Sequence, residues 1–594
     1  MTSHNSNEET TTNPGAMYIL ALAPALRSIL ADRQRTLAVK ALFTSAIIKE
    51  WVPGIPSPAQ VQGYLEATRE RIRIILALGA QRDQLLLDVQ RSQLFPASLQ
   101  KLGQVNELLF FTRLEYEIHF SRIFRINDLP PEILIEIFHY ITWVADGPVD
   151  ATNWHLWLTW VCRHWRQVAL SEPTLWNIIW FRDIPKFERS LAYLERTADA
   201  PVDIRINDTE ARPLSLAEIK NLFIKILKKI SNLRVVIIDL QEWDLVLFVL
   251  HAFCTVKERN LPMILERFEI HRGGSPYVQI GAGHEFEHPY PIPLFGGAAV
   301  PSFKYLTLNS IDIDWANSES ALTNLIKIGI RRIPQDKSLT LAQFRELFAR
   351  SPAIRELILD GAGPSFLDFV SGMQVKPIHV PSLRVLVLGD FRLKFALYIR
   401  SILSTPNILD FTMIRFGDED YSKLYEAMTL TMPLVRILTF YHTDFDPTPQ
   451  RANVMIKWLQ SMPQITYLRI GTVTLTPAVF DLFLHDPKTM GSLDEATNGE
   501  IVCPKLAFIE LEFENIEMIE MIIRWARIRK QMGSPIRKVY LRPNLAHNIT
   551  AELSQRLAAV LGNGGTISYI IPGTKSKEEK MLMNEGKRIQ KTMY

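Results

Sequence analysis

After Phe181, apolar positions recur in units of one form. A proline is followed by apolar residues two, five and seven positions later, as at Pro301 with Phe303, Leu306 and Leu308. The last two positions alternate, as the buried face of a short strand requires. Full units start at Pro301, Pro352, Pro381, Pro406, Pro433, Pro463 and Pro504, a shifted unit starts at Pro535, and units without the proline cover 233–238 and 265–270.

The stretches between these units favour amphipathic helices, because their apolar residues recur at helical spacing, as in 455–462. One strand and one helix per unit predict an α/β repeat, an irregular leucine-rich-repeat solenoid over residues 183–570. The alternative is a doubly wound α/β domain, in which strands and helices also alternate. No glycine-rich phosphate loop follows a strand to favour that alternative.

The region before the repeats favours helices. Residues 1–15 are polar and predict a disordered start, whereas 16–124 form a predicted helical region. Its helical stretches are expected at 16–50, 59–94 and 99–124, with a proline-rich linker at 52–58.

The second of these stretches has apolar residues at some heptad positions. Thr68, Gly79, Arg82 and Gln93 interrupt the heptad seam. The interruptions favour an amphipathic helix packed on its own chain over a self-associating coiled coil.

A small helical module is predicted over residues 125–182. Pro130-Pro131 starts a helix whose apolar stripe is Ile133, Leu134, Ile137, Phe138 and Ile141. One tryptophan-dense helix is expected to follow, from Trp154 through Val161 and Cys162 to Trp165, and a short segment then carries Leu175 and Trp176. So small a core usually gains stability by burying apolar surface on a partner.

These segments resemble the F-box family. Leu129-Pro130-Pro131-Glu132-Ile133-Leu134 with Ile137-Phe138 is similar to its opening helix, Val161-Cys162-Arg163-His164-Trp165 to its central signature, and Pro173-Thr174-Leu175-Trp176 to its closing turn. The helical region and the repeats also resemble fungal F-box proteins with leucine-rich repeats. One departure is the stretch from Thr142 to Leu158, which is longer than the usual spacing and rich in tryptophan; it is either a loop or an insert that alters docking.

The resemblance implies that the module binds the Skp-type adaptor of a cullin-RING ubiquitin ligase. It also implies that five residues lie on or support the adaptor surface: Leu129, Pro130, Ile133, Ile137 and Phe138. Val161, Cys162 and Trp165 would lie behind and beside them. The implied partner-binding residues are Leu129, Pro130, Ile133, Leu134, Ile137, Phe138, Val161, Cys162, Trp165, Leu175 and Trp176.

Composition bears on the kinds of partner and on the cellular compartment. The 594 residues are 47% hydrophobic and 22% charged, with a formal net charge of +3, which is too small to imply nucleic-acid binding by bulk electrostatics. The three cysteines, Cys162, Cys254 and Cys503, are far apart and suit a reducing compartment. The apolar run 16–26 is too short for a membrane span and wrongly flanked for a signal peptide. We expect a cytoplasmic or nuclear protein that binds no membrane and no nucleic acid.

No motif of a hydrolase, metalloprotease, P-loop or dinucleotide-binding site is present, so we expect no enzyme, no catalytic residues and no cofactor. His284 and His288, with His271 nearby, lie in a glycine-rich segment and are expected to be loop histidines rather than metal ligands. The basic tail, 571–594, is expected to be a mobile helix or tail.

The expected function is that of a substrate-recognition subunit of a Skp-cullin-F-box ubiquitin ligase. The module would bind the adaptor, and outward side chains of a concave repeat surface would bind a protein substrate. The alternative is an interaction scaffold whose F-box-like module recruits no ligase. Candidate ligand-facing residues are Arg355, Arg384, Arg415, Tyr441, His442 and Arg469.

Overall fold

The structure is a computed structural model. Its described part divides into two compact units, with the boundary between Trp176 and Asn177. The structure describes residues 57–91, 95–123, 126–143, 148–208, 212–273, 291–366, 375–417, 419–443, 449–471, 501–512, 517–542, 549–562, 565–570 and 574–584.

The first unit is helical throughout its described length. Two long helices, α1 (Pro58–Arg91) and α2 (Phe95–Ile123), pack together around Leu78, Val105 and Leu109. They match the helices expected at 59–94 and 99–124, whereas the helix expected at 16–50 lies outside the described residues. The remaining helices are α3 (Pro131–Trp143), α4 (Pro148–Val161) and α5 (Arg163–Ser171), with short 3-10 turns at Ile126–Asp128 and Pro173–Leu175.

The prediction of one helix running through Cys162 is wrong. Cys162 has extended backbone angles (φ −158°, ψ 173°), and its sulfur accepts a hydrogen bond from the backbone N–H of Trp165. Cys162 is therefore the N-cap of α5, which begins at Arg163. A residue in this conformation caps a new helix and cannot continue the previous one. Most of the stretch from Thr142 to Leu158 is also helical, because α4 begins at Pro148.

Within its described residues, the second unit is built on one sheet of 14 strands, all of whose pairs are parallel. Strand order in the sheet follows the order in the chain without reversal. A doubly wound sheet requires a reversal at its switch point, so the doubly wound alternative is wrong. The strands are β1 (Ile178–Phe181), β2 (Val202–Asn207), β3 (Leu233–Leu240), β4 (Arg267–Arg272), β5 (Tyr305–Asn309), β6 (Lys327–Arg331), β7 (Glu356–Asp360), β9 (Val385–Gly389), β11 (Asp410–Ile414), β12 (Ile437–Tyr441), β13 (Tyr467–Gly471), β14 (Phe508–Glu512), β15 (Lys538–Leu541) and β16 (Thr566–Tyr569).

Helices connect many of these strands, and β8 (Ile378–His379) pairs with β10 (Leu403–Ser404) outside the main sheet. The helices of the unit are α6 (Glu188–Arg196), α7 (Leu216–Ile226), α8 (Trp243–Glu258), α9 (Leu341–Arg350), α10 (Leu393–Ile402), α11 (Ser422–Met428), α12 (Pro449–Gln460), α13 (Glu517–Gln531), α14 (Ala551–Val560) and α15 (Lys577–Asn584).

All ten strands predicted from the repeated units are confirmed. Four other strands of the main sheet were not predicted, namely β1, β2, β6 and β16, and neither was the separate pair of β8 and β10. Strand β6 fills the long interval between Pro301 and Pro352, where Leu325, Ile328 and Ile330 keep the apolar spacing without the leading proline. Strand β1 falls within the last residues that the sequence assigned to the module.

The core lies between one face of the sheet and the helices. The apolar pair of each repeated unit faces it, and these side chains are fully buried, as Phe411 and Phe440 show. Trp458 of α12 packs against both rings, with centroid distances of 6.3 and 6.2 Å. The alternate strand positions, which we call the open face, lie on the other side of the sheet.

Several strands are followed by a residue in the left-handed region. Arg332, Asp390 and Arg415 have φ of 52°, 53° and 54°. Each donates its backbone N–H to the next strand: Arg332 to Asp360 O (2.7 Å), Asp390 to Ile414 O (2.8 Å) and Arg415 to Tyr441 O (2.8 Å). The sheet's hydrogen bonds therefore compensate a conformation that is unfavourable for these residue types.

Candidate protein-interaction surfaces

Helix α3 has two apolar stripes on different sides. Leu134 and Phe138 are fully buried in the core that α3 forms with α4 and α5. Ile133 is 48% exposed and Tyr140 57% exposed. We call Pro130, Ile133, Ile137 and Tyr140 the outer stripe; Pro130 is exposed and Ile137 half-buried. Their spacing of three and four residues places them along one side of the helix.

Tryptophan contacts fix α3 against the other helices of the module. The Trp165 ring lies 4.8 Å from the Phe138 ring between centroids, and its Nε1 donates to Asn127 Oδ1 at 2.8 Å. Trp176, also buried, donates its Nε1 to the carbonyl of Ala169 at 2.8 Å. These partners satisfy the polar ends of two buried indoles, so the helices have a specific arrangement.

A polar contact joins α3 to the closing turn. His139 Nε2 lies 3.1 Å from Thr174 Oγ1, and Glu172 accepts from the Thr174 N–H at 3.2 Å. Burial lowers the pKa of His139, although the charges of Glu172 and Glu136 act in the opposite direction. Residues Pro173–Leu175 form a 3-10 turn, and this turn contacts the same helix that carries the outer stripe.

The structure separates the eleven candidate residues into three groups. Pro130 and Ile133 are exposed, so both side chains are accessible from solvent. Tyr140 was missed, although it lies seven residues after Ile133 and continues its side of the helix. The half-buried candidates are Leu129, Ile137, Val161 and Cys162, and the buried candidates are Leu134, Phe138, Trp165, Leu175 and Trp176, which support the surface from behind.

The open face of β1 to β7 is largely polar, and charged side chains on it form ion pairs with one another or with Arg415. Asp360 lies 2.8 Å from Arg415 Nη2 and 3.9 Å from Arg331 Nη1. Gly389 lies between Asp360 and Ile414 in the register of the sheet, and an added Cβ there would lie 2.7 Å from Asp360 Oδ1. Burial acts to raise the pKa of Glu269, but a hydrogen bond from His271 and the charge of Arg267 lower it to about 2.

Helix α15 covers part of the open face of β12 to β15. Leu582 of this helix is buried in a cluster with Ile437, Tyr467, Tyr540 and Ile570. Of the two forms expected for the tail, Lys577–Asn584 adopts the helix, and this helix packs against the sheet. Its packing on the sheet was not predicted, because its partners are distant in sequence: Arg436 donates to Leu582 O at 3.2 Å across 146 residues.

Ion pairs hold the first turn of α15. Arg469 Nη2 donates to Glu579 Oε2 at 2.7 Å, and Arg469 Nε lies 2.9 Å from Glu510 Oε2. Burial acts to lower the pKa of Arg469, but the two carboxylates raise it above its ordinary value. Glu578 Oε1 accepts from Lys538 Nζ at 3.1 Å, and the Tyr540 hydroxyl donates to its other oxygen.

The candidate ligand-facing residues of the repeats do not form one site. Arg469 is on the open face but is covered by α15, and Arg415 is engaged with Asp360. Arg355 and Arg384 precede β7 and β9, whereas Tyr441 and His442 lie at the end of β12. His284 and His288 lie outside the described residues.

No protein-family model matches the chain, and no curated protein is significantly similar to it. Within the described part of the chain, no helix is both long and apolar enough to cross a membrane.

Proposed function

We propose that the protein is a substrate-recognition subunit of a Skp-cullin-F-box ubiquitin ligase. The module of α3 to α5 would bind the Skp-type adaptor, and the sheet unit, as a leucine-rich-repeat solenoid, would bind a protein substrate. Ubiquitin transfer would then result from proximity, with the chemistry supplied by other subunits.

The outer stripe carries this proposal. It is an exposed apolar surface on the helix whose sequence resembles the opening helix of an F-box, and exposed apolar patches mark interaction sites. Glu132 and Glu136 are exposed on the same helix and would contribute a charged rim to such an interface.

The second unit supports the other half of the proposal. Its strands follow one another in a single parallel sheet, and each strand pairs only with its neighbours in the array. Stacked repeats of this kind expose a long surface that proteins use for binding.

The outer stripe is tested by co-purifying the full chain with a recombinant Skp-type adaptor. Ile133→Asp is expected to weaken adaptor binding at least about tenfold, because it places a charge in an apolar contact. Leu430→Asp is the matched control, since Leu430 is a 78% exposed leucine in the second unit. Phe138→Asp is unsuitable because the side chain is fully buried beside Trp165.

Failure of the wild-type chain to retain the adaptor would overturn the ligase proposal and leave the interaction-scaffold alternative. Equal retention by wild type and Ile133→Asp would show that the outer stripe is not the adaptor contact.

A further inference from the structure

The open face of β12 to β15 combines apolar, basic and acidic groups around α15, and its acids Glu510 and Glu512 pair with Arg469 and Arg542. Ile437, Tyr467 and Phe508 are consecutive neighbours in the register of β12, β13 and β14, so they form one continuous row. Leu582 is 9% exposed against this row, and Met583 packs on the same cluster. Arg469 and Lys538 lie beside the row and meet the two acids of the helix.

The acids of α15 lie at its N-terminal end, where they meet basic groups of the face, and a basic group of the face meets its C-terminal end. Its first turn holds Glu578 and Glu579, and Ser576 Oγ accepts from the Glu579 N–H at 3.0 Å, as an N-cap does. Acids in the first turn also interact favourably with the helix dipole. At the other end, Arg436 donates to a carbonyl of the last turn.

The helix presents a different side to solvent. Lys577 and Lys580 are exposed, and Met581 is 59% exposed. Eight residues are too few for a stable isolated helix, so α15 depends on the face for its structure. The occupancy of a short tethered element depends on its intrinsic affinity multiplied by its effective concentration, so a segment with higher affinity can displace it.

We propose that the face of β12 to β15 is a docking site for an amphipathic substrate helix with two consecutive acids in its first turn and apolar residues three to five positions after them. Helix α15 occupies this site as an intramolecular ligand that the substrate displaces. The inference rests on the proposed function, because it names the class of segment that the repeats recognise.

The test uses the full-length chain and a fluorescein-labelled peptide with the sequence of residues 574–584. Leu582→Asp detaches α15 by placing a charge in its buried contact, whereas Met581→Asp places the same charge on its exposed side. Fluorescence anisotropy should show at least tenfold tighter peptide binding to Leu582→Asp than to wild type or to Met581→Asp. A peptide with lysines in place of both glutamates should not bind.

Glu579→Lys is the second detaching variant, because it reverses the charge facing Arg469 without touching the apolar cluster. Adding Lys538→Glu to Leu582→Asp should abolish peptide binding, since Lys538 pairs with Glu578. If Leu582→Asp and Glu579→Lys both fold, by thermal unfolding, and neither binds the peptide, the docking site is overturned. Unfolding of the sheet in both variants would overturn it as well, since α15 would then be a fixed part of the fold.

Failure of this inference is distinguishable from failure of the proposed function. Peptide binding without adaptor retention would support the docking site in a scaffold rather than a ligase. Adaptor retention without peptide binding by either detached variant would overturn the docking site alone.

Discussion

At the scale of single residues, the structure distinguishes buried from exposed members of one apolar stripe, which periodicity alone does not. Ile133 and Leu134 are adjacent members of the predicted stripe, yet one is 48% exposed and the other fully buried. Periodicity identifies an apolar side of a helix, but which part of it meets the core depends on where neighbouring helices lie. The contacts of Leu134 and Phe138 with the module core could therefore be anticipated, but the exposure of Ile133 and Tyr140 could not.

Asp410 provides a prediction at this scale. It is 6% exposed, its Oδ1 has no hydrogen-bond partner among the described residues, and burial raises its pKa to about 6. Nearby Lys575 and Arg469 lower that pKa, whereas Glu579 and Glu356 raise it. Because the folded-state pKa exceeds the unfolded value, the native state retains the proton more strongly. Stability is thus highest below about pH 4 and is lost as pH rises to about 6, by roughly 3 kcal/mol.

Asp410→Asn should remove this dependence and raise the unfolding midpoint at pH 7.5 relative to wild type, with a smaller gain at pH 4.5. Thermal unfolding at the two pH values measures the difference. Asp390→Asn is the control, because its side chain is 45% exposed. An unchanged pH profile in Asp410→Asn would contradict the assigned pKa.

At the scale of elements, local pattern was a good guide to strands and a poor guide to helix ends. The apolar spacing located β5 and β7 because alternate burial is a local property of a strand. Strand β6, whose unit begins at Leu325, keeps the same apolar spacing without a leading proline and was missed. The break between α4 and α5 was also missed, since cysteine is an uncommon cap and its sulfur accepts only a weak hydrogen bond.

The cap at Cys162 yields a matched pair of variants. Cys162→Ser should raise the unfolding midpoint of the module, because a hydroxyl is a stronger N-cap acceptor for the Trp165 N–H. Cys162→Ala should lower it, with the two variants differing by about 1 kcal/mol. Tryptophan fluorescence during urea unfolding measures both, and equal midpoints for serine and alanine would show that the cap contributes nothing.

At the scale of the whole molecule, periodicity left two topologies open, because doubly wound and sequential sheets both alternate strands with helices. The order of strands resolves this, and it is a non-local property. The packing of α15 on the sheet could not be predicted for the same reason: its ion pair between Arg469 and Glu579 joins residues 110 positions apart. Pairing of an acidic turn with a distant basic strand leaves no signal at short sequence separation.

The sequential sheet makes a prediction about how a defect spreads. Leu357 of β7 is fully buried, and β7 pairs with β6 and β9 only. Leu357→Ala should cost about 2–5 kcal/mol of local stability. In a stacked array each repeat contacts only its neighbours, so hydrogen exchange should accelerate in β6, β7 and β9 and stay unchanged in β1 to β4. Arg355→Ala, at an exposed position two residues earlier, is the control. Equal acceleration of hydrogen exchange in all strands would contradict this prediction, because it would show that the sheet unfolds as one unit rather than strand by strand with its neighbours.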